Sequence, residues 1–237
     1  MKVDIQPYPV SVVKSDVPEH DWEKYYKLKP GDVFVEVGAF WGRYAILADK
    51  ARCSKIILIE PSPINIATIK NFVQNEELRN VVVIEKAIGN KRGTIEFDIS
   101  GNSAGHCVIE GNPFVDTVRK GVLIRNNDEF KTIDIQVDTL DNVLKELKID
   151  KVDLLACDCE GEEVHLLEGL SKYLNERRIK HLALGAYHTL DIHKDVMKIL
   201  TEYRYYGIRY EEGVVYASSD NVMLSKEEIL NKELKFD

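Results

Sequence analysis

An acidic residue followed by two glycines marks a point in this chain where a small molecule could bind. Glu36 stands two residues before Gly38, and Gly42 follows four residues later, just after an apolar run. Gly38 allows a sharp turn of the backbone, and Gly42 leaves room for a ligand or for close helix packing. The Glu36 carboxylate would repel phosphate and attract a cation. Phe40 and Trp41 fill the turn, which disfavours the phosphate cradle of a G-x-G-x-x-G dinucleotide site.

A second acidic residue ends the next apolar run. Lys55–Glu60 is a short strand pattern, and Glu60 lies 18 residues after Gly42. An acid about 20 residues after the glycine turn holds the ribose diol in nucleotide-binding α/β folds. Its two carboxylate oxygens match two hydroxyl donors. Glu60 is therefore predicted to bind a ribose.

A third group of ionisable side chains follows two later strand patterns. Asp158 and Glu160 come after Val152–Ala156, and His188 follows Ile179–Ala186. Ligands of open α/β sheets lie outside the carboxyl ends of the strands, so these groups should face the two acids described above. An imidazole titrates near neutral pH, around 6.5, which makes His188 the first choice for a general base. The two carboxylates are the alternatives for that role.

Strands must alternate with helices to bring these groups to one edge. Five runs rich in β-branched residues predict strands, and amphipathic stretches between them predict helices. The predicted strands are Val33–Val37, Lys55–Glu60, Val81–Lys86, Val152–Ala156 and Ile179–Ala186. The predicted helices span about 43–51, 64–75, 138–147, 162–174 and 192–203, the fourth with Glu162 and Glu163 favouring its N-terminal dipole. This rhythm is typical of a doubly wound, mostly parallel α/β sheet with right-handed crossovers.

The remaining segments are predicted to be additions to that sheet. Ile208–Glu211 and Val214–Ala217 form an antiparallel hairpin around Glu212-Gly213. Residues 94–137 break the rhythm and predict a β-rich insertion over the site, with Asn102–His106 as its most polar part. Residues 1–30 predict an extended arm and a short helix carrying Trp22, and residues 225–237 a C-terminal helix. The whole chain, residues 1–237, is predicted to be a single domain.

The composition of the chain limits the classes of partner that it is expected to bind. The chain has 237 residues, a net charge of −8 and no apolar run near the roughly 20 residues that a membrane span needs. An acidic chain without a basic stripe favours neither nucleic acid nor membrane as a partner. The start MKVDIQPYPV lacks the apolar core of a signal peptide, so a cytoplasmic location is predicted. The four cysteines lack the spacing of a zinc site and are predicted to be buried free thiols.

Several motifs together carry a family resemblance. The pattern Glu36-x-Gly38-x-x-x-Gly42 resembles the first motif of class I S-adenosylmethionine (SAM) methyltransferases. The stretch from Asp158 to Glu163, DCEGEE, with a following Leu-Glu-Gly, resembles the signature of FkbM-type methyltransferases. Two further elements, EPSP from Glu60 and YHT from Tyr187, resemble the same family, which extends the resemblance from about Gly31 to Ala217. Two departures are Glu36, where the family usually has Asp, and Ala156-Cys157, where it usually has Lys-Ile.

The resemblance implies a seven-stranded sheet, SAM as cofactor with S-adenosylhomocysteine (SAH) as product, and O-methylation of a hydroxyl on a small molecule or sugar. It places the methionine end of SAM beside the first acid. The residues expected to bind the cofactor are Glu36, Gly38, Phe40, Gly42, Glu60, Pro61, Ala87 and Asp158. Those expected to be catalytic are His188, Asp158 and Glu160.

Three alternatives stay open at this point. The chain could be a non-catalytic SAM-binding module, or a nicotinamide-dependent oxidoreductase, which Phe40-Trp41 in the turn disfavours. Asp158 and Glu160 could hold a divalent metal, but they offer fewer oxygens than a hard cation takes, so no metal is predicted. Whether the chain forms an oligomer is also open.

Overall fold

A central sheet of seven strands dominates the computed structural model, which describes residues 6–15, 21–100, 103–109, 112, 115 and 131–220. Its strands are β1 (Val33–Val37), β2 (Lys55–Ile59), β3 (Val81–Ile84), β8 (Val152–Cys157), β9 (Ile179–Gly185), β10 (Tyr206–Glu211) and β11 (Val214–Ser218). The order is β3-β2-β1-β8-β9-β11-β10, and neighbours are parallel except at β11. This architecture confirms the predicted doubly wound α/β fold with an antiparallel last hairpin.

Helices cover the sheet. They are α1 (Val10–Ser15), α2 (Tyr44–Lys50), α3 (Pro63–Asn75), α4 (Leu140–Glu146), α5 (Glu163–Glu168), α6 (Ser171–Asn175) and α7 (Ile192–Glu202). Because the central strands alternate buried side chains on both faces, two separate apolar cores form, one on each side of the sheet. Among the residues described, no helix is long and apolar enough to cross a membrane.

The strand order reverses between β1 and β8. From β1 the chain winds outward through β2 to β3, and from β8 it winds the other way through β9. The carboxyl ends of β1 and β8 therefore border a crevice, which is where open α/β sheets bind their ligands. Of the predicted site residues, the loops after β1 and β8 carry Gly38, Phe40, Asp158 and Glu160.

The insertion forms a second, smaller sheet. Its strands are β4 (Ala87–Ile88), β5 (Gly93–Asp98), β6 (Cys107–Val108) and β7 (Thr132–Asp138), in the order β4-β7-β5-β6. Phe97 and Val108 pack there against Ala87, Ile135 and Val137. The prediction of a β-rich insertion is confirmed for its two long strands. Most of the intervening loop, including residues 116–130, lies outside the described residues, as does the C-terminal helix predicted from residue 225.

The N-terminal region differs from its prediction. The predicted extended arm contains α1, and the predicted helix around Trp22 is a set of turns at residues 22–25. Trp22 and Tyr25 are both buried, and the Tyr25 hydroxyl donates to the Glu211 carboxylate at 2.5 Å. These contacts with distant elements decide the conformation, because tertiary packing overrides a short helical pattern.

Two other boundaries differ because backbones approach closely. The helix predicted over residues 162–174 divides into α5 and α6 at Gly169, where a Cβ would lie 2.1 Å from the carbonyl oxygen of Gly89. The third strand ends at Ile84, two residues early, because Ala87 pairs with Val137 in the second sheet. The other elements match their predicted positions to within about two residues.

Candidate active site

A cavity of about 450 Å³ opens at the carboxyl edge of the sheet, between the loops after β1, β2 and β8. This volume falls within the range of about 300–1,000 Å³ that is typical of small-molecule sites. Its lining includes Glu36, Gly38, Phe40, Glu60, Pro61, Ala87, Asp158 and Glu160. Two predicted site residues, Gly42 and His188, are not part of its lining.

The Glu60 carboxylate is held by hydrogen bonds from two loops. Oε2 accepts the amide of Phe40 at 2.9 Å, and Oε1 accepts the amide of Ser62 at 2.9 Å and the side chain of Asn65 at 3.3 Å. Phe40 has a positive φ of 51°, so the backbone is turned out of its usual range at this donor. Burial raises the pKa of Glu60 to about 7, although the three donors favour the charged form.

Glu36 is buried in the wall of the cavity. Its Oε1 accepts the indole N–H of Trp22 at 3.2 Å, and its Oε2 has no hydrogen-bond partner among the described residues. Burial, together with the smaller effect of the nearby carboxylates of Asp158 and Glu60, raises the pKa of Glu36 to about 8, although the indole N–H of Trp22 favours the charged form. A buried carboxylate oxygen without a partner at a cavity wall is costly unless a ligand supplies a donor or a charge.

Gly38 joins the ends of β1 and β8. Its φ is +74°, and a Cβ at this position would lie 1.8 Å from the carbonyl oxygen of Asp158. The amide of Asp158 donates to Val37 at 2.9 Å, so the two loops touch through their backbones. Glycine is required here for both its dihedral angle and its lack of a side chain.

Gly42 serves packing and does not line the cavity. A Cβ there would meet Leu58 at 3.0 Å and Ile69 at 3.3 Å, which are core side chains of β2 and α3. Of the two roles considered for this glycine, close packing is the one that the structure supports. The predicted contact of Gly42 with the cofactor stays a prediction.

His188 is buried among three carboxylates. Its Nδ1 lies 3.0 Å from Glu163 Oε1, and its Nε2 lies 3.2 Å from Asp158 Oδ1 and 3.8 Å from Glu160 Oε2. The His188 side chain is 2% exposed and that of Glu163 is fully buried. Desolvation alone would lower the pKa of His188, but the Asp158 and Glu163 carboxylates outweigh it and raise that pKa to about 11.

This environment argues against the expected role of His188 as a general base, a role that stays a prediction. An imidazole with a pKa of about 11 carries its proton at neutral pH and accepts no second one. The choice of His188 as a general base rested on an unperturbed pKa near 6.5, so its physical basis is absent. The buried imidazolium instead neutralises Glu163 and anchors Asp158, which also accepts the Tyr187 hydroxyl at 2.9 Å.

Comparison with known domain families decides the class of this fold. A family described as the FkbM methyltransferase domain matches residues 32–207, which is most of the chain. The chain belongs to the FkbM methyltransferase family. This membership confirms the family predicted from the E-x-G, EPSP and DCEGEE motifs, and it favours a methyltransferase over the oxidoreductase alternative.

Individual relatives of this FkbM-family chain are distant. Methyltransferase sdnD of Sordaria araneosa is 23% identical over 155 residues, which cover 58% of this chain and 60% of sdnD. A crystal structure of an FkbM methyltransferase from Methylobacillus flagellatus superposes with a TM-score of 0.56 at 18% identity, over 79% of this chain and 43% of that one. The chain thus spans less than two thirds of both relatives, and the structural likeness is one of fold.

Two groups of potential metal ligands lie beside the cavity of this FkbM-family chain. Asp158, Glu160 and His188 place ligand atoms within 4.8 Å of one another, as do Cys157, Cys159 and Glu163. The first group offers two carboxylates, which is few for a hard cation. All four cysteines are free, and three are buried while Cys159 is half-buried, as the sequence predicts. The prediction of no metal stays a prediction.

The structure also adds residues that the motifs did not identify. Trp22, Arg43 and Tyr44 line the cavity near Glu36, and Phe97 and His106 of the insertion line it elsewhere. Arg43 and Tyr44 directly follow Gly42, but their residue types alone do not mark a site, and Trp22, Phe97 and His106 lie far from the motifs in the chain. The only signals in the sequence were the aromatic character of Trp22 and the polarity of the loop around His106.

The insertion of this FkbM-family chain reaches the cavity at two places. His106 Nδ1 lies 2.9 Å from the Ser62 hydroxyl, and Asn65 donates to the carbonyl of Ser103 at 3.2 Å, both beside Glu60. At the other end, the Asn112 side chain donates to the carbonyl of Glu160 at 2.9 Å. The described part of the insertion therefore contacts both the Glu60 loop and the Glu160 turn.

Proposed function

We propose that this chain transfers the methyl group of SAM to a hydroxyl group of a small molecule. The observation that carries this proposal is one cavity that joins three kinds of group. It places Glu60, suited to a ribose diol, Glu36, suited to a cation, and the Asp158–Glu160 pair at the same sheet edge. Family membership supplies the reaction class, and these side chains supply the reason for the cofactor and acceptor.

The described residues suit SAM by their chemistry. Glu60 would receive the ribose hydroxyls, and its 3.3 Å contact from Asn65 is the weakest of three and the first that a hydroxyl would replace. Glu36 has an unpartnered oxygen for the ammonium end, and Pro61 and Ala87 give apolar walls on the Glu60 side. When bound, SAM supplies an electrophilic methyl group on a sulfonium.

The acceptor would be bound and deprotonated at the Asp158–Glu160 turn. Both oxygens of Asp158 are engaged, by His188 and by the Tyr187 hydroxyl, which fixes the carboxylate for orienting a hydroxyl. Glu160 lies farther from His188, at 3.8 Å, so its carboxylate is less committed to that cation. We assign Glu160 as the general base, which takes the proton of the acceptor hydroxyl as the new C–O bond forms and the C–S bond breaks.

Charge limits the class of acceptor. Among the described residues, the cavity wall contains five acidic side chains, Glu36, Glu60, Asp158, Glu160 and Glu162, against two cationic side chains, Arg43 and Lys86. Raised pKa values leave Glu36 mostly protonated and Glu60 about half charged at neutral pH. A phosphorylated or nucleic-acid acceptor would meet repulsion there, and the net charge of −8 gives no attraction to a polyanion. A small neutral hydroxylated molecule such as a sugar suits this wall better.

Two experiments test the function. Thermal shift with SAH against NAD separates a SAM site from a nicotinamide site, since only the bound ligand stabilises the native state. Turnover of SAM to SAH over a panel of sugars, sugar phosphates and phenols separates an enzyme from a binding module. Stabilisation by NAD alone, or SAH binding without turnover of any acceptor, would overturn the proposal.

The first testable prediction concerns Glu60. Glu60→Ala removes an acceptor of charge-assisted hydrogen bonds worth about 1.5–3 kcal/mol, so SAH affinity should fall roughly tenfold or more in calorimetry. Glu60→Gln, which keeps the size and one acceptor oxygen, should lose less. The matched control is Glu85→Ala, because Glu85 is exposed and pairs only with Lys70 at 2.6 Å in the described region. Equal SAH affinity in Glu60→Ala and Glu85→Ala would remove Glu60 from the site.

A second prediction is the pH dependence of ribose binding. Adenosine carries the ribose without the ammonium, so its affinity isolates Glu60. Because the pKa of Glu60 is raised to about 7, its carboxyl is mostly protonated at pH 6 and mostly charged at pH 8. Adenosine affinity should therefore rise by about tenfold over that range, and the rise should be lost in Glu60→Gln. A flat profile in the unaltered protein would contradict the assignment.

A further inference from the structure

Glu36 has a neighbour from outside the matched family region. Trp22 lies ten residues before residue 32, where the FkbM match begins, and it is buried, with 4% of its surface exposed. Its indole N–H donates to Glu36 Oε1 at 3.2 Å, and its ring stands 5.9 Å from that of Tyr44. Trp22, Glu36 and Tyr44 all line the cavity.

Contacts on both sides of Trp22 fix its position. The carbonyl of Asp21 accepts the Tyr216 hydroxyl at 3.0 Å, and Lys24 pairs with Glu211 at 2.9 Å. The Tyr25 ring stacks edge-on against Tyr216 at 5.0 Å. These contacts attach the turns at residues 22–25 to the β10–β11 hairpin. From this fixed position the indole of Trp22 reaches Glu36.

We infer that Trp22 is a cofactor-positioning residue, whose indole N–H holds the Glu36 carboxylate at the cavity wall to receive the ammonium of the cofactor. The inference rests on the proposed function. The indole fixes Oε1 of Glu36, and Oε2 of the same carboxylate has no hydrogen-bond partner among the described residues. Glu36 is 95% buried from solvent. One fixed oxygen and one unpartnered oxygen define a site for a single cationic donor.

The charges around Glu36 set how this pair responds to pH. Asp158 from the loop after β8 and Glu60 after β2 disfavour its charge, and the phenol of Tyr44 on α2 and the guanidinium of Arg43 stand at the same cavity. The indole N–H favours the charged form. Removal of this donor should therefore raise the pKa of Glu36 above about 8 and leave less carboxylate at neutral pH.

The test compares Trp22→Phe with Tyr26→Phe. Trp22→Phe keeps an aromatic ring and loses the donor, whereas Tyr26→Phe loses only its hydrogen bond to Asp32, away from the cavity. Trp22→Phe should weaken SAH about three- to tenfold at pH 7.5 and leave adenosine affinity unchanged, because adenosine lacks the ammonium. The loss should shrink as pH rises. Tyr26→Phe should change neither affinity. Equal losses for SAH and adenosine, or no loss, would overturn the inference.

A cofactor-free measurement separates this inference from the proposed function. The chain has two tryptophans, so Trp41→Phe leaves the emission of Trp22 alone. That emission should change as Glu36 titrates near pH 8, and the change should vanish when Glu36→Gln is added. If SAH fails to bind the unaltered protein while this titration persists, the methyltransferase proposal fails and the Trp22–Glu36 pair stands. An emission that ignores Glu36→Gln refutes the pair itself.

Discussion

Gly38→Ala should destabilise the fold more than any other single methyl group added at the sheet edge. The new Cβ would stand 1.8 Å from the carbonyl oxygen of Asp158 and 2.7 Å from its carbonyl carbon, both of which are backbone atoms. Neither loop can yield easily, because the Gly38 amide donates to Ile59 at 3.0 Å and the Asp158 amide donates to Val37 at 2.9 Å. Overpacking and left-handed strain together should lower the free energy of unfolding by about 2–5 kcal/mol.

Gly31→Ala is the matched control for this substitution. Gly31 also has a positive φ, +92°, but a Cβ there would meet nothing within 4 Å. It should therefore lose only the strain of the left-handed backbone, about 1–2 kcal/mol. Thermal unfolding of the two variants separates the clash from the strain. Equal destabilisation would mean that the approach of Gly38 to Asp158 is not needed for the fold.

A milder outcome for Gly38→Ala would be equally informative. If the variant folds, the loop after β8 must move away from β1, and Asp158 moves with it. SAH affinity and turnover should then fall together, since Asp158 stands on the cavity wall beside the cofactor site. A folded variant with unchanged SAH affinity would remove Gly38 from the site and leave its role purely structural.

The sequence predicted the parts of this protein that local pattern controls. The strands, the glycine turn and the acid after β2 can each be recognised from a stretch of about ten residues. Because the central strands are parallel, their carboxyl ends meet at one edge of the sheet, which is where a ligand is expected. Glu36, Glu60, Asp158 and Glu160 consequently fall in one cavity, as their positions at strand ends require. The family motifs cover these same segments.

The environment of His188 was beyond the reach of pattern. Glu163 opens α5, and in the sequence it is an ordinary acid at a helix start. β8 and β9 are paired so that Cys157 lies beside Leu184. This pairing brings the loop after β8, which leads to Glu163, next to the loop after β9, which carries His188, and Glu163 is buried against the imidazole. A pKa depends on such neighbours and on burial, neither of which spacing reveals.

The attachment of residues 21–25 to the β10–β11 hairpin could not be predicted from the sequence for a similar reason. Tyr25 and Glu211 are 186 residues apart in the chain, and their hydrogen bond fixes the turns that carry Trp22. A short helical pattern is a weak preference beside such contacts. Sequence placed an aromatic segment near the site, and tertiary contacts decided its form.

Glu160→Gln should lower kcat by roughly 10²–10⁴-fold, the usual contribution of a general base. The amide keeps the size of the side chain but cannot take the proton of the acceptor hydroxyl. SAH affinity should stay within about twofold, because the assigned role concerns the acceptor and not the cofactor. Glu162→Gln is the matched control: Glu162 also lines the cavity but pairs with His165 at 2.9 Å instead of His188.

His188 should behave differently from a base in the same assay. Since its pKa is raised to about 11, His188 stays protonated from pH 6 to 9, and His188→Gln should remove no step from the pH–rate profile in that range. The variant should instead lose stability, by about 3–5 kcal/mol, because Glu163 remains buried without its cation. Adding Glu163→Gln should restore part of that loss, since the neutral amide still offers an oxygen to the amides of Cys159 and Gly161.

The pH dependence of stability gives an independent check on the same histidine. The folded pKa of about 11 exceeds the unfolded value of 6.5, so the imidazolium stabilises the fold fully below pH 6.5. That stabilisation should be lost as the pH rises toward 11, with a slope of at most about 1.4 kcal/mol per pH unit, and His188→Gln should remove the slope. If instead Glu160→Gln keeps near-normal turnover, while His188→Gln abolishes both turnover and a step near pH 6.5, the proton belongs to His188 and the imidazole is not held charged by Glu163 and Asp158.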